Sequence, residues 1–127
     1  MKELTHPEEQ VMQYLWKLEK AFLKDIVEEY PEPKPAYTTI STVIRVLVKK
    51  GFIGFEQFGK TNRYHPLVSK KAYSKASFKG VFQKFFDNSP GMFTSFFTKE
   101  EKLSLAELEE MKSIIEQEIK KKKKDGK

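Results

Sequence analysis

At 127 residues and 14.9 kDa, with 39% hydrophobic and 33% charged residues, the chain has the size of one domain, or of a small domain with an oligomerising appendage, and enough apolar content to fold. The absence of cysteine excludes disulfide scaffolds, thiolate zinc sites and cysteine nucleophiles, and no apolar run approaches the roughly 18 residues that span a bilayer. The net charge of +6 is uneven, at −3 over residues 1–35, +6 over residues 36–72 and +3 beyond, so the middle of the chain carries the basic surface that phosphate neutralisation requires.

The N-terminus, Met1-Lys2-Glu3, lacks an apolar signal-peptide core, and a cytoplasmic location without membrane insertion is expected. Thr5-His6-Pro7-Glu8 has the spacing of a capping box and starts a helix running to about Lys17, with Val11, Met12, Leu15 and Trp16 as its buried stripe. Ile26, Val27 and Tyr30 suggest a second, short helix whose start at Phe22-Leu23 is poorly marked. It ends before Pro31-Glu32-Pro33-Lys34-Pro35, where three prolines remove three backbone donors.

The third helix is the clearest, with Ile40, Val43, Ile44 and Leu47 at i, i+3, i+4 and i+7 and Gly51 placed to stop it. Thr38, Thr42, Arg45 and Lys49 fall on the opposite face, flanked by Thr39 and Ser41. Short hydroxyl side chains let a backbone approach a nucleic acid closely, and an arginine reaches a guanine edge or a phosphate, so this face is the candidate DNA reader. Two β-rich runs, Phe52 to Phe58 and Arg63-Tyr64-His65, flank Gly59-Lys60-Thr61-Asn62 and predict a hairpin. Lys60 and Arg63 lie at or beside its tip, and Tyr64 follows; the three complete the candidate DNA-binding set. Three helices and a hairpin in this order form the winged version of the helix-turn-helix.

Beyond Pro66 the composition changes, because seven of the 11 phenylalanines lie between Phe78 and Phe97. Phe78, Val81, Phe82, Phe85 and Phe86 form one helical stripe. Ser89-Pro90 opens a second segment bearing Met92, Phe93, Phe96 and Phe97, and Ser104-Leu105-Ala106-Glu107 caps a third with Leu108, Met111, Ile115 and Ile119. Three short helices can hardly bury so many aromatics within one subunit. The surplus argues for a dimer interface made by Phe78, Phe82, Phe85, Phe86, Phe93, Phe96, Phe97, Leu108, Met111, Ile115 and Ile119, the alternative being packing on the chain's own N-terminal part. The lysines at 120–124 read as a solvated terminal run. The expected fold is therefore mainly α with a small β-hairpin: a winged helix-turn-helix domain over 1–70, a three-helix dimerisation region over 71–120, and a basic disordered tail over 121–127.

Catalytic chemistry has nothing to build on. His6 and His65 have no acid or hydroxyl partner at a meaningful spacing, the six glycines form no phosphate loop, and Glu107, Glu109, Glu110, Glu116 and Glu118 belong to a solvated helix face with Lys102 and Lys112. No metal, cofactor or enzymatic activity is expected. The readings that remain are a sequence-specific DNA-binding protein and a winged-helix protein-interaction module.

Several pieces, in order, carry a resemblance: Glu9-Gln10-Val11-Met12-Gln13-Tyr14-Leu15-Trp16, Ile26-Val27, Tyr37-Thr38-Thr39-Ile40-Ser41-Thr42-Val43-Ile44-Arg45-Val46-Leu47, Lys49-Lys50-Gly51-Phe52-Ile53, the Gly59-Lys60 turn and Tyr64-His65-Pro66. Over nearly its whole length the chain resembles the penicillinase and methicillin-resistance repressors, the BlaI/MecI/CopY family. The resemblance implies a homodimeric transcriptional repressor whose winged-helix domains read a palindromic double-stranded DNA operator and whose C-terminal helices interlock. It also implies, for the penicillinase branch, cleavage of the repressor triggered by a membrane-bound sensor protease. The family's Asn-Phe cleavage pair falls on Phe96-Phe97 in this chain, within residues 94–101, which are expected to join two helices. The copper-sensing branch uses a C-terminal cysteine cluster, which this chain lacks.

Overall fold

The computed structural model describes residues 1–126, and its elements follow from local chemistry at their ends. Helix α1 (His6–Leu18) opens on a reciprocal cap: Glu8 N donates to Thr5 Oγ1 at 3.3 Å and Thr5 N donates to Glu8 Oε1 at 2.9 Å, with Pro7 in the first turn. It ends at Glu19, which takes a left-handed φ of 68°. Strand β1 (Ala21–Phe22) comes next and leads directly into helix α2 (Leu23–Glu29). The start of α2, unmarked in the sequence, is set by Asp25, whose carboxylate accepts from Phe22 N at 2.9 Å. At its other end Lys34 Nζ donates to Glu28 O and Tyr30 O, placing a cation on the carbonyls that the helix leaves unpaired.

Helix α3 (Tyr37–Lys49) has no side-chain cap at Ala36 but a complete C-terminal lock. Gly51, at a φ of 82° that a Cβ would strain, donates to Val48 O at 3.1 Å, and Phe52 N donates to Leu47 O at 2.9 Å. Strands β2 (Ile53–Phe58) and β3 (Thr61–Pro66) then form the expected hairpin, with Gly59 and Lys60 as the turn. The sheet has three strands, not two: β1 pairs antiparallel on the far side of β3, Ala21 opposite Tyr64 and Phe22 opposite Arg63. Two residues carry no periodicity, and β1 exists because β3 offers it a free edge.

One core unites these elements. Val11, Met12 and Leu15 from α1, Ile26 and Val27 from α2, and Ile40, Ile44 and Leu47 from α3 close over Ala21, Phe52 and Ile53. Helix α4 (Lys70–Phe86) contributes Tyr73, packed on the Trp16 and Phe52 rings, its hydroxyl donating to Glu9 Oε2 at 2.9 Å and accepting from Leu4 N at 3.2 Å. Trp16 Nε1 donates to Val68 O at 2.8 Å. This compact unit accordingly spans Met1–Lys79 and takes in the start of α4, beyond the boundary expected at residue 70.

The second unit runs from Gly80 onward and holds the end of α4, helix α5 (Pro90–Glu100) and helix α6 (Leu105–Lys124). With 17, 11 and 20 residues, α4 to α6 are not uniformly short. Ser89 and Ser104 cap α5 and α6, accepting from Met92 N and Glu107 N. Two expectations change. Residues 94–100 lie inside α5 and are not a joining segment, and 121–124 continue α6 where a disordered tail is expected; Lys127 lies outside the described residues. The ion pairs Lys112–Glu116 and Lys121–Glu118 span successive turns of the helix and carry it into the terminal lysine run.

An ion pair between a buried carboxylate and a half-buried lysine ties the two ends of the α1–α3 layer. Glu8, only 6% exposed, accepts from Lys50 Nζ at 2.7 Å, which joins the first turn of α1 to the C-cap of α3. Burial pushes this carboxyl up, but the hydrogen bonds from Lys50 and Thr5 outweigh it and hold the group below its ordinary value of 4.5. A depressed carboxylate stabilises the fold fully above its ordinary value and loses that contribution as pH falls through the folded value. Lys50→Ala, which leaves the carboxylate buried without its cation, should cost about 1–3 kcal/mol and lower Tm by about 4 °C or more. Glu8→Gln should flatten the acid limb of the stability profile, as thermal melts across pH 3–7 (roughly, the span over which carboxylates titrate) would record.

Candidate nucleic-acid interface

Helix α3 buries Ile40, Ile44 and Leu47, and because a helix turns about 100° per residue the remaining arc must face outward. Thr38, Thr39, Thr42, Arg45 and Lys49 are all exposed on it, and Ser41 is half-buried at its edge. No carboxylate lies on the helix. The Thr42 hydroxyl is committed to its own backbone, donating to Thr38 O at 2.9 Å. Val46 also lies on this outward arc and is 39% exposed.

The hairpin adds a second leg. Its tip is the Gly59-Lys60 turn, with Lys60 fully outward, and Thr61 closes the turn by donating to Phe58 O at 2.9 Å. Arg63 is differently employed: its guanidinium contacts Glu56 Oε1 at 3.2 Å and lies 4.8 Å from the centre of the Phe58 ring. Its Nε is buried without a hydrogen-bond partner among the described residues. Adjacent to β1 and opposite Glu56 in β2, Arg63 stiffens the sheet and neutralises the hairpin's single carboxylate.

Tyr64 stands between two grooves. One, of about 290 Å³, separates α3 from the hairpin and is lined by Ser41, Arg45, Val48, Phe55, Asn62 and Tyr64, the Phe55 and Tyr64 rings meeting edge to face at 6.1 Å. The other, of about 540 Å³, lies between α2, the start of α3 and the hairpin, where Lys24, Tyr37, Lys60 and Asn62 converge. Sequence reasoning missed Lys24. Its only signal is a tertiary one, the pairing of β1 with β3, which brings the first turn of α2 beside the wing.

Apart from Phe78, which belongs to the first unit, the residues expected to form the dimer interface lie in a unit with no core of its own. Among the described residues none from Gly80 onward is buried. Phe82, Phe86, Phe93 and Phe97 are half-buried in an aromatic cluster with ring centroids 5.4–6.3 Å apart, and Met111 is half-buried, whereas Phe78, Phe85, Phe96, Leu108, Ile115 and Ile119 face solvent. Val81, Phe85, Phe86, Met92 and Phe96 line an open, largely apolar groove of about 760 Å³. Among the described residues no cluster of His, Asp and Glu could hold a metal ion, and no helix is long and apolar enough to cross a membrane.

Comparison with known proteins gives a consistent result. The model of the penicillinase repressor family matches residues 4–117. The methicillin resistance regulatory protein MecI of Staphylococcus aureus (strain N315) is 30% identical over 114 residues, spanning 89% of this chain and 93% of that protein. The penicillinase repressor of Bacillus licheniformis is 22% identical over 122 residues, 95% of each chain. Among solved structures, the DNA-binding domain of the repressor BlaI is similar, with a TM-score of 0.49 and 25% identity over 57% of this chain and 94% of that one.

Proposed function

Because the chain belongs to the penicillinase repressor family, a family of transcriptional repressors and not of enzymes, we propose that it acts as a homodimer that reads a palindromic operator through α3 and the wing. The observation that carries this is the outward face of α3, where hydroxyls, Arg45 and Lys49 stand together without a carboxylate. Arg45 reads a base edge, Thr38, Thr39, Ser41 and Lys49 set the approach of the helix, and Lys60 grips the phosphate backbone across the adjoining groove. Tyr64 supports the wing from beneath, and Arg63 holds its shape. This role is consistent with a cytoplasmic location.

Dimerisation is assigned to the second unit, since solvent-facing rings such as Phe85, 64% exposed, gain about 1.5–3 kcal/mol each when covered. Two linked half-site contacts then raise affinity through effective concentration, without new contacts. Relief of repression fits a cut beside Phe96 and Phe97 by a sensor protease, because severing α6 removes part of the covered surface, the alternative being another signal such as a ligand. Those residues are helical, so the cut needs α5 to unwind locally first. The Asn of the family's pair is replaced by Phe96, so the cognate protease must accept an aromatic ring before the scissile bond.

Four experiments test these assignments. In titrations of selected operator duplexes, log K should fall with log salt at about −0.9 per phosphate contacted. Arg45→Ala should lose about 1–3 kcal/mol on operator only, and Lys60→Ala should weaken all duplexes alike. A chain that binds no duplex at any salt concentration is instead the interaction module. Ended after Lys79, which retains Tyr73 in the core, the chain should sediment as a monomer while the full chain is a dimer. Mass spectrometry of the repressor from induced cells should find a fragment ending near Phe96, and an intact chain at full induction excludes proteolytic relief.

A further inference from the structure

Within α3, apolar side chains divide sharply. Ile40, Ile44 and Leu47 are buried, and Val43 and Val48 pack against the same core, but Val46 belongs to neither group. It sits on the outward arc, one turn beyond Thr42 and next to Arg45. Exposed β-branched residues disfavour a helix relative to alanine, through lost χ1 freedom, and Val46 does not pack on the core that offsets this cost for its neighbours.

Thr42 presents a related surface. Its hydroxyl proton is held by Thr38 O, so the part of the side chain not engaged with its own backbone is the γ-methyl. Thr42 and Val46, at i and i+4, therefore form a short apolar strip on a face otherwise made of hydroxyls and cations. In the major groove one base offers an apolar group at its edge, the C5-methyl of thymine, and an aliphatic side chain is its natural partner.

We infer that Val46, with the Thr42 methyl, reads the C5-methyl of thymine in each half-site, making the pair a specificity determinant alongside the hydrogen-bonding Arg45. This inference rests on the DNA-reading role of α3. It adds discrimination that hydrogen bonds do not supply, since removing the methyl leaves every donor and acceptor of the base unchanged.

Uracil replaces thymine with loss of that methyl alone. Using a duplex selected from a random library by the full-length chain, each thymine is replaced singly by uracil and affinity is measured for the wild type, Val46→Ala and Thr42→Ser. Alanine favours the helix and serine keeps the hydroxyl bond, and circular dichroism confirms that both variants are folded. At one or two positions per half-site uracil should weaken the wild type about fourfold, the worth of one methyl-sized group buried. Val46→Ala on the thymine duplex should lose as much and should show no further loss with uracil, a coupling that identifies contact. If no thymine is sensitive, or if the uracil effect persists undiminished in both variants, the methyl is not read by this strip and the inference is overturned. A wild-type chain for which the library yields no duplex overturns the DNA-reading role itself, a distinguishable result.

Discussion

The interface depends on a constraint of helix packing: a helix of 13 residues can bury one face, and α3 buries Ile40, Ile44 and Leu47. Against a core closed by Val11, Met12, Leu15, Ile26 and Val27, any rotation of α3 about its axis would drive a threonine or Arg45 inward and expose an isoleucine. The cost of burying an unpaired polar group exceeds what such a rotation could recover. The direction in which the proposed reading face points is thus set by the buried residues of the core. The lock of Gly51 and Phe52 onto the last turn, together with the Glu8–Lys50 pair, fixes where that helix stops and the hairpin begins.

The wing gains its firmness from a contact at its other edge. Hairpins of two strands are marginal alone, and pairing with β1 gives this one a third strand. Arg63, flanked by Glu56 and the Phe58 ring, occupies the middle of that sheet, so a residue type associated with phosphate contact serves here to hold shape. Lys60 can then reach outward from a stiff support, and the entropy of ordering a loose loop need not be met at binding.

The second unit follows a different logic. Its helices are well capped, yet among the described residues none from Gly80 onward is buried, and its rings cluster without being enclosed. Local hydrogen bonding can specify helices without specifying a core. Under the proposed dimerisation, a second copy covers this apolar side, which would link the unit's folding to concentration and make it responsive to loss of a single helix.

The sequence by itself determined the helices with strong apolar repeats and caps, the hairpin around Gly59-Lys60, the basic middle segment and the outward placement of Thr38, Thr42, Arg45 and Lys49, because period and capping are local properties of the chain. It was silent on β1, on Lys24 beside the wing and on Tyr73 in the core, since these depend on which distant residues meet: a two-residue strand has no period, and a tyrosine in an amphipathic helix does not reveal that its hydroxyl bridges Glu9 and Leu4. Arg63 and Thr42 show the same division within the site. Their identity and approximate place were legible, but the cross-strand partners Glu56 and Phe58 of Arg63 follow from the pairing of β2 with β3, whereas the bond from Thr42 to Thr38 O follows from the helix itself, four residues apart.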